Sequence, residues 1–165
     1  MTLFSCAHKP PLATVDYVDV ERFMGDWYVI ANIPTFAEVG AHNAIESYAL
    51  NEDGTIATTF TFLDGGFDGK QKKMTPKGYV KDTPSNAEWL MQFVWPIKAD
   101  YRIIYLSPDY SATVIGRNKR DYVWIMARTS EISDAQYQAM VQVVSEAGYD
   151  SSKLVKVPQR WPSGE

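Results

Sequence analysis

The stretch that decides the fold runs from Phe23 to Asn32 and reads FMGDWYVIAN. In it Gly25 precedes Trp27 at the start of an apolar run with a two-residue period, which is typical of a half-buried strand. A Gly-x-Trp motif alone carries little information, because it occurs by chance in many chains. Its meaning depends on whether the rest of the chain predicts a fold in which a strand begins with a large buried ring.

Short strand-like segments follow at regular intervals along the chain. We predict strands near residues 26–33, 43–51, 55–63, 72–82, 87–94, 101–107, 111–117 and 121–128. Turn residues separate them, as in Asn51-Glu52-Asp53-Gly54 and Ser107-Pro108-Asp109-Tyr110. Because no helical pattern lies between any two of these segments, the sequence predicts an antiparallel sheet with up-and-down order.

The period changes only after the last predicted strand. Ser133 and Gln136 form a capping-box pattern, and apolar residues then recur at helical spacing up to Gly148. The predicted fold class is therefore all-β: an eight-stranded antiparallel up-and-down barrel with one C-terminal α-helix packed outside. We assign residues 1–16 to an N-terminal tail and residues 17–165 to the barrel domain with its helix.

Composition excludes several classes of function. The 165 residues favour one domain, and a net charge of -4 without a basic block argues against nucleic acid as a partner. No apolar run is long enough to span a membrane. The single cysteine, Cys6, excludes an internal disulfide, and the spacing of His8 and His42 does not suit a metal site, so we expect neither metal nor cofactor.

Aromatic residues make up 13% of the chain, more than a plain core needs, which indicates a lined cavity. The candidate ligand-binding residues lie on the predicted inward faces of the strands: Val29, Ala31, Ile56, Thr58, Phe60, Phe62, Trp89, Met91, Phe93, Tyr101, Ile103, Tyr105, Trp124 and Met126. The alternative is that these side chains fill a packed core. An error of one residue in the register of a strand would exchange its predicted inward and outward faces.

In such a barrel Trp27 would point inward and plug the floor. Arg128 ends the last strand, which lies beside the first in a closed barrel, so its guanidinium can stack on the indole and donate to nearby carbonyls. We therefore predict a structural role for this pair.

Three motifs together resemble the signature regions of the lipocalin family. They are Gly25-Asp26-Trp27-Tyr28, Pro108-Asp109-Tyr110 and Arg128-Thr129, and their order and spacing match over roughly residues 17–160. The segments 95–101 (WPIKADY) and 121–128 (DYVWIMAR) are similar to the branch of bacterial lipocalins, plant temperature-induced lipocalins and apolipoprotein D. The resemblance implies structural roles for Gly25, Trp27, Asp109, Tyr110 and Arg128.

The resemblance implies binding, storage or transport of one small hydrophobic or amphiphilic ligand, a fatty acid or lysophospholipid. For bacterial members it also implies a lipid anchor at the outer membrane, facing the periplasm. Leu3-Phe4-Ser5-Cys6 resembles the end of a lipoprotein signal, which makes Cys6 the candidate lipidation site and the only expected link to a membrane. The chain would then begin inside the signal peptide; the alternative is that Cys6 is incidental. The protein can be a monomer or a homodimer.

Catalysis has little support in the sequence. Cys6 lies on the tail, no nucleophile-elbow motif occurs, and no acid or base clearly faces the cavity. We therefore expect a carrier rather than an enzyme, with a lipocalin-fold enzyme acting on a lipid-like substrate as the alternative. A structural envelope protein with a filled barrel is a third hypothesis.

Two features near the predicted mouth have open roles. Lys98 and Arg102 can meet a ligand head group or can be ordinary solvated charges. Trp95 and Pro96 can cover the opening or form a packed turn.

Overall fold

Antiparallel strands are the main secondary structure of the computed structural model, which describes residues 9–162. The helices are α1 (Val20–Phe23) and α2 (Asp134–Glu146), with a 3-10 turn at Ser151–Lys153. The strands are β1 (Gly25–Ile33), β2 (Ala41–Leu50), β3 (Thr55–Asp64), β4 (Gln71–Met74), β5 (Lys77–Val80), β6 (Glu88–Val94), β7 (Ile97–Leu106), β8 (Ala112–Gly116), β9 (Val123–Ala127) and β10 (Val155–Lys156).

The sheet closes on itself. The strands pair antiparallel in the order β1-β2-β3-β5-β6-β7-β8-β9, and β9 pairs with β1 through partners such as Tyr28 with Ala127 and Ile33 with Val123. Closure gives the backbone hydrogen-bonding groups of the first and last strands a partner, which removes the edges that an open sheet would expose. The predicted antiparallel barrel is confirmed.

The predicted strand 72–82 is one barrel strand made of two pieces. Both β4 and β5 pair with β3, the first opposite Phe60–Leu63 and the second opposite Thr55–Ala57. Pro76 lies between them and has no N–H to donate, although its carbonyl accepts from the Thr58 N–H at 3.2 Å. The break therefore follows from a proline inside the strand, and the count of eight barrel strands holds.

Two apolar clusters lie on the two faces of the barrel wall. The inner cluster fills the barrel around Trp27, and the outer one lies beneath α2. Met140 and Val144 of α2 pack with Val114, Val123 and Ile125, as predicted for a helix on the outside. The predicted capping box is present, with Ser133 and Gln136 each accepting from the other's backbone N–H.

The N-terminal segment differs from a free tail. Leu12 is buried at 3% exposure, its N–H donates to Asn118 Oδ1 at 2.8 Å, and the Val15 N–H donates to the Ile103 carbonyl at 3.0 Å. Residues 9–16 form neither helix nor strand, and they are held against the barrel because Leu12 is buried there. Residues 1–8, which include Cys6, lie outside the described part of the chain.

Candidate ligand-binding site

The closed end of the barrel is built around Trp27, which is fully buried. Its indole N–H donates to the Phe23 carbonyl at 2.9 Å, and the Arg128 guanidinium stacks 3.8 Å from the ring centre. Gly25 has φ +96° and approaches this guanidinium so closely that a Cβ would lie 3.3 Å from Arg128 Nη1. Glycine suits position 25 for two reasons. The backbone there has a positive φ that side chains disfavour, and the Arg128 guanidinium leaves little room for a Cβ.

Arg128 joins the three signature regions at this end. Its guanidinium donates to the carbonyls of Asp26, Phe23 and Arg22 at 2.9–3.1 Å and to the Tyr110 carbonyl at 3.3 Å. Five donors in a fixed geometry allow one side chain to bridge several carbonyls.

The β7–β8 turn is fixed from within by Asp109. Its carboxylate accepts from the Ser107 hydroxyl and from the Ser111 hydroxyl and N–H, contacts that lower its pKa to about 2. Tyr110 follows, and its hydroxyl accepts from the Asp19 N–H at 2.9 Å. The turn is therefore attached directly to the cap of α1.

A cluster of aromatic side chains at the closed end forms the floor of the barrel interior. Phe23, Trp27, Tyr48, Trp89 and Tyr101 contact one another with ring centres 5.0–6.3 Å apart. The hydroxyls of Tyr48 and Tyr101 share a hydrogen bond of 2.6 Å. Burial raises the pKa of both phenols well above the usual range, so both stay neutral. The lower barrel is thus a packed core with one internal polar pair.

A cavity of about 340 Å³ lies above the floor and opens at the other end of the barrel. Five of the predicted ligand-binding residues line it: Phe60, Met91, Phe93, Tyr101 and Trp124. Nine further residues complete the wall: Thr35, Phe36, Ala37, Glu38, Glu46, Met74, Ala99, Asp100 and Arg117.

Seven predicted residues point into the barrel but lie outside the cavity wall: Val29, Ile56, Thr58, Phe62, Trp89, Ile103 and Met126. Thr58 belongs to this group because its hydroxyl contacts Met91 Sδ at 3.6 Å. An inward position therefore does not by itself give a residue access to the cavity.

Two predicted residues, Ala31 and Tyr105, do not face the interior. Both pack in the outer cluster against α2. Each follows a register shift, between Val29 and Ala31 in β1 and between Ile103 and Tyr105 in β7. A β-bulge inserts one extra residue and so reverses the alternation after it, which is why strict counting placed these side chains inward.

The residues expected at the mouth of the barrel do not line the cavity. Arg102 is buried outside the barrel, where it pairs with Glu88 at 3.3 Å and Asp100 at 3.2 Å. Lys98 lies over the Tyr79 ring at 3.9 Å. Trp95 is 82% exposed and is neither a cover over the cavity nor part of a packed turn.

The sequence did not predict the three carboxyl groups on the cavity wall, which belong to Glu38, Glu46 and Asp100. Glu38 accepts from the Thr35 N–H and hydroxyl at 3.0 and 2.7 Å and from the Trp124 indole N–H at 2.8 Å. Desolvation and the charge of Glu38 raise the pKa of Glu46 from 4.5 to about 8, although the nearby Tyr48 hydroxyl opposes the shift. The signal was available for Glu46, because it shares an inward face of β2 with Ala44 and Tyr48.

Other kinds of site lack a basis in the described residues. Across residues 9–162 no group of three or more His, Cys, Asp or Glu side chains is arranged to hold a metal ion. The helices of this same range are too short or too polar to cross a membrane.

The family model of the lipocalin-like domain matches residues 18–159. The chain belongs to the lipocalin family. Temperature-induced lipocalin-1 of Arabidopsis thaliana is 34% identical over 160 residues, covering 92% of this chain and 84% of the relative. Outer membrane lipoprotein Blc of Escherichia coli is 30% identical, covering 94% and 89%, and apolipoprotein D of Bos taurus is 25% identical, covering 95% and 84%.

Solved structures show the same barrel at lower identity. Insecticyanin from the tobacco hornworm Manduca sexta superposes with a TM-score of 0.70 at 14% identity, covering 90% of this lipocalin and 84% of that chain. The cockroach allergen Per a 4 gives a TM-score of 0.68 at 14% identity, covering 93% and 96%. The predicted family is confirmed, and its members bind and carry small hydrophobic molecules.

Proposed function

We propose that this lipocalin binds, stores or transports one single-chain amphiphile in its barrel cavity, with fatty acids and lysophospholipids as candidate ligands. The observation that carries the proposal is the cavity itself, which has a packed aromatic floor, one open end and a wall of mainly apolar side chains. Burial of a methylene contributes about 0.8 kcal/mol, so roughly ten buried methylenes supply the about 8 kcal/mol of a micromolar complex.

The test is native mass spectrometry of the purified protein, with any retained lipid released and identified. We expect one amphiphile per chain. Phe60→Asp should lose it, because Phe60 lines the cavity, while Leu50→Asp should keep it, because Leu50 is exposed and outside the cavity wall. Equal retention by the two variants, or protein that never takes up a lipid, would contradict the proposal.

We also propose that the protein acts at the bacterial outer membrane, anchored by lipid at Cys6 and facing the periplasm. Support comes from the tetrapeptide Leu3-Phe4-Ser5-Cys6 and from the relatives named outer membrane lipoprotein Blc. A single acyl chain holds a protein only marginally, so several chains would be needed. Fractionation of cells that express the native gene should place the protein in the membrane, and Cys6→Ser should release it. A native product found only in the soluble fraction would contradict this location.

One observation favours the alternative of a lipocalin-fold enzyme. A cavity carboxyl such as Glu46, whose pKa is about 8, can take up or release a proton near neutral pH. The relatives are named as lipocalins and lipoproteins, and lipocalins are in general binding proteins, which supports the carrier. Incubation with a lipid extract distinguishes the two: a carrier returns its lipids unchanged, whereas product formation that Glu46→Gln abolishes would establish an enzyme.

A further inference from the structure

Glu46 occupies the deeper part of the cavity wall. It lies on β2 opposite Trp27 of β1 and Phe60 of β3, one inward position from Tyr48 of the aromatic floor. Its neighbours on the wall include Phe60 and Met91, both of them buried. A carboxyl group is therefore placed where an ordinary apolar calyx would carry another apolar side chain.

The described part of the cavity wall carries one cation, Arg117, and it pairs with Asp121 rather than with Glu38 or Glu46. Within residues 9–162, the salt bridges include neither Glu46 nor Glu38. Among the described residues, the donors to Glu38, on the β1–β2 loop, are the neutral groups of Thr35 and Trp124.

The other charged groups on the cavity wall have ionic neighbours of their own. Asp100 of β7 pairs with Arg102, and Arg117, after β8, lies 3.4 Å from Asp121, although its buried Nε makes no hydrogen bond within the described residues. The phenols Tyr48 and Tyr101 bind each other. On β3, β4, β6 and β9 the side chains that line the cavity carry no titratable group.

Polar groups lie in the depth of the cavity as well as at its mouth, where Glu38 shares the β1–β2 loop with Phe36. At the rim, Phe36 is 92% exposed and Phe93 is 55% exposed, and both line the opening. The depth carries Glu46 beside the Tyr48–Tyr101 hydroxyl pair. An amphiphile bound with its head at the mouth would therefore put its most apolar part against a carboxyl group.

We propose that Glu46 binds a basic nitrogen, so that the preferred ligand is a long-chain amine held with its amino group inward and its chain toward the mouth. This rests on the proposed function and narrows its ligand class. An ammonium group would face Glu46 and Glu38, neither of which is paired with a cation in the described residues, in surroundings where charge-assisted contacts are strong. A carboxylate in the same place would face repulsion from Glu38 and from ionised Glu46.

The proposal has a pH signature of defined sign. Free Glu46 keeps its proton up to about pH 8, and it must release that proton to pair with an ammonium ion. Amine affinity should therefore rise with pH, by up to about tenfold per unit, until about pH 8. A carboxylate ligand should show the opposite trend, because ionisation of Glu46 adds a like charge, and a neutral alcohol should show none.

The experiment compares dodecylamine, dodecanol and dodecanoic acid, each below its micelle concentration, by calorimetric titration between about pH 6 and pH 8. We expect amine affinity to rise, acid affinity to fall toward the upper end and alcohol affinity to stay level. Glu46→Gln should abolish the slopes, so that the affinities for the amine and the acid no longer change with pH. Glu52→Gln, which removes an exposed carboxyl at the end of the same hairpin, is the matched control and should keep all slopes.

The outcomes separate the two levels of the proposal. If dodecanol does not bind at all, the proposed function itself fails. If dodecanol binds but the affinity for dodecylamine does not change with pH, the role of Glu46 is refuted. It is also refuted if the Glu46→Gln variant keeps the pH dependence of the wild type. A second readout needs no variant: a ¹³C NMR titration should show the pKa of Glu46 falling when dodecylamine binds, and an unchanged value would refute the amine contact.

Discussion

Two features of the structure favour glycine at position 25: its backbone conformation and its contact with Arg128. Its φ of +96° disfavours any side chain, and Arg128 leaves 3.3 Å for a Cβ. We expect Gly25→Ala to lower the free energy of unfolding by about 1–3 kcal/mol, measured by urea denaturation.

Gly54 provides the matched control, because it has φ +81° with nothing within 4 Å of a Cβ. Gly54→Ala should show the backbone cost alone and therefore a smaller loss. Equal losses at the two sites would mean that the contact with Arg128 contributes nothing.

Trp27 and Arg128 should serve stability rather than ligand affinity. Trp27→Ala empties the floor and should cost about 3–5 kcal/mol. Arg128→Lys keeps the charge but loses the fork that reaches four carbonyls, so it should also lower the melting temperature. The measurement is thermal denaturation alongside ligand titration. Variants that melt like the wild type but lose ligand would move both residues into the binding site.

Glu46 gives the fold a dependence on pH. Between its ordinary pKa of 4.5 and its raised value of about 8, the folded protein binds a proton that the unfolded chain has lost. The free energy of unfolding should therefore fall as pH rises, by up to about 1.4 kcal/mol per unit in that window.

Urea denaturation of Glu46→Gln beside the wild type isolates this contribution, since all other titrating groups are shared. The stability difference between the two should change steadily from acid to alkaline pH. A difference that stays constant would show that Glu46 titrates normally in the fold.

At the scale of single elements, α2 depends on its cap. Ser133→Ala removes the acceptor for the Gln136 N–H and should cost about 1 kcal/mol. Ser145→Ala, on an exposed position of the same helix, should be neutral or slightly stabilising. Chemical denaturation of both variants measures the difference, and equal stability would mean that the cap makes no net contribution.

The inward and outward faces of a strand could be predicted where its side chains alternate regularly. The alternation in β3 placed Phe60 and Phe62 inward correctly, because β3 pairs with β4 and β5 without a shift. Alternation failed at Ala31 and Tyr105, since bulges in β1 and β7 reverse the face. Nothing in those two segments marks the extra residue, which is fixed by pairing with distant strands.

At the scale of the whole molecule, closure of the barrel followed from eight strands without helical crossovers. The sequence did not predict that the barrel interior divides into a packed floor and an open cavity. That division depends on how five aromatic rings from separate elements stack. Glu46 was not predicted for a related reason: aromatic stripes indicated the cavity wall, and β2 carries a single aromatic residue of this kind, Tyr48.

The central claim is that an apolar chain enters the cavity above the floor, and its most direct test is the dissociation constant across a series of alcohols of increasing chain length. Trp124, on the cavity wall, provides the fluorescence signal. The constant should fall by about fourfold per methylene until the cavity is full, because each buried methylene contributes about 0.8 kcal/mol. Met91→Gln, on the cavity wall, should weaken binding throughout, whereas Met126→Gln, buried beyond that wall, should lower stability but keep the affinity of the folded protein. A dissociation constant that does not change with chain length, or an affinity lost in Met126→Gln but not in Met91→Gln, would contradict the account.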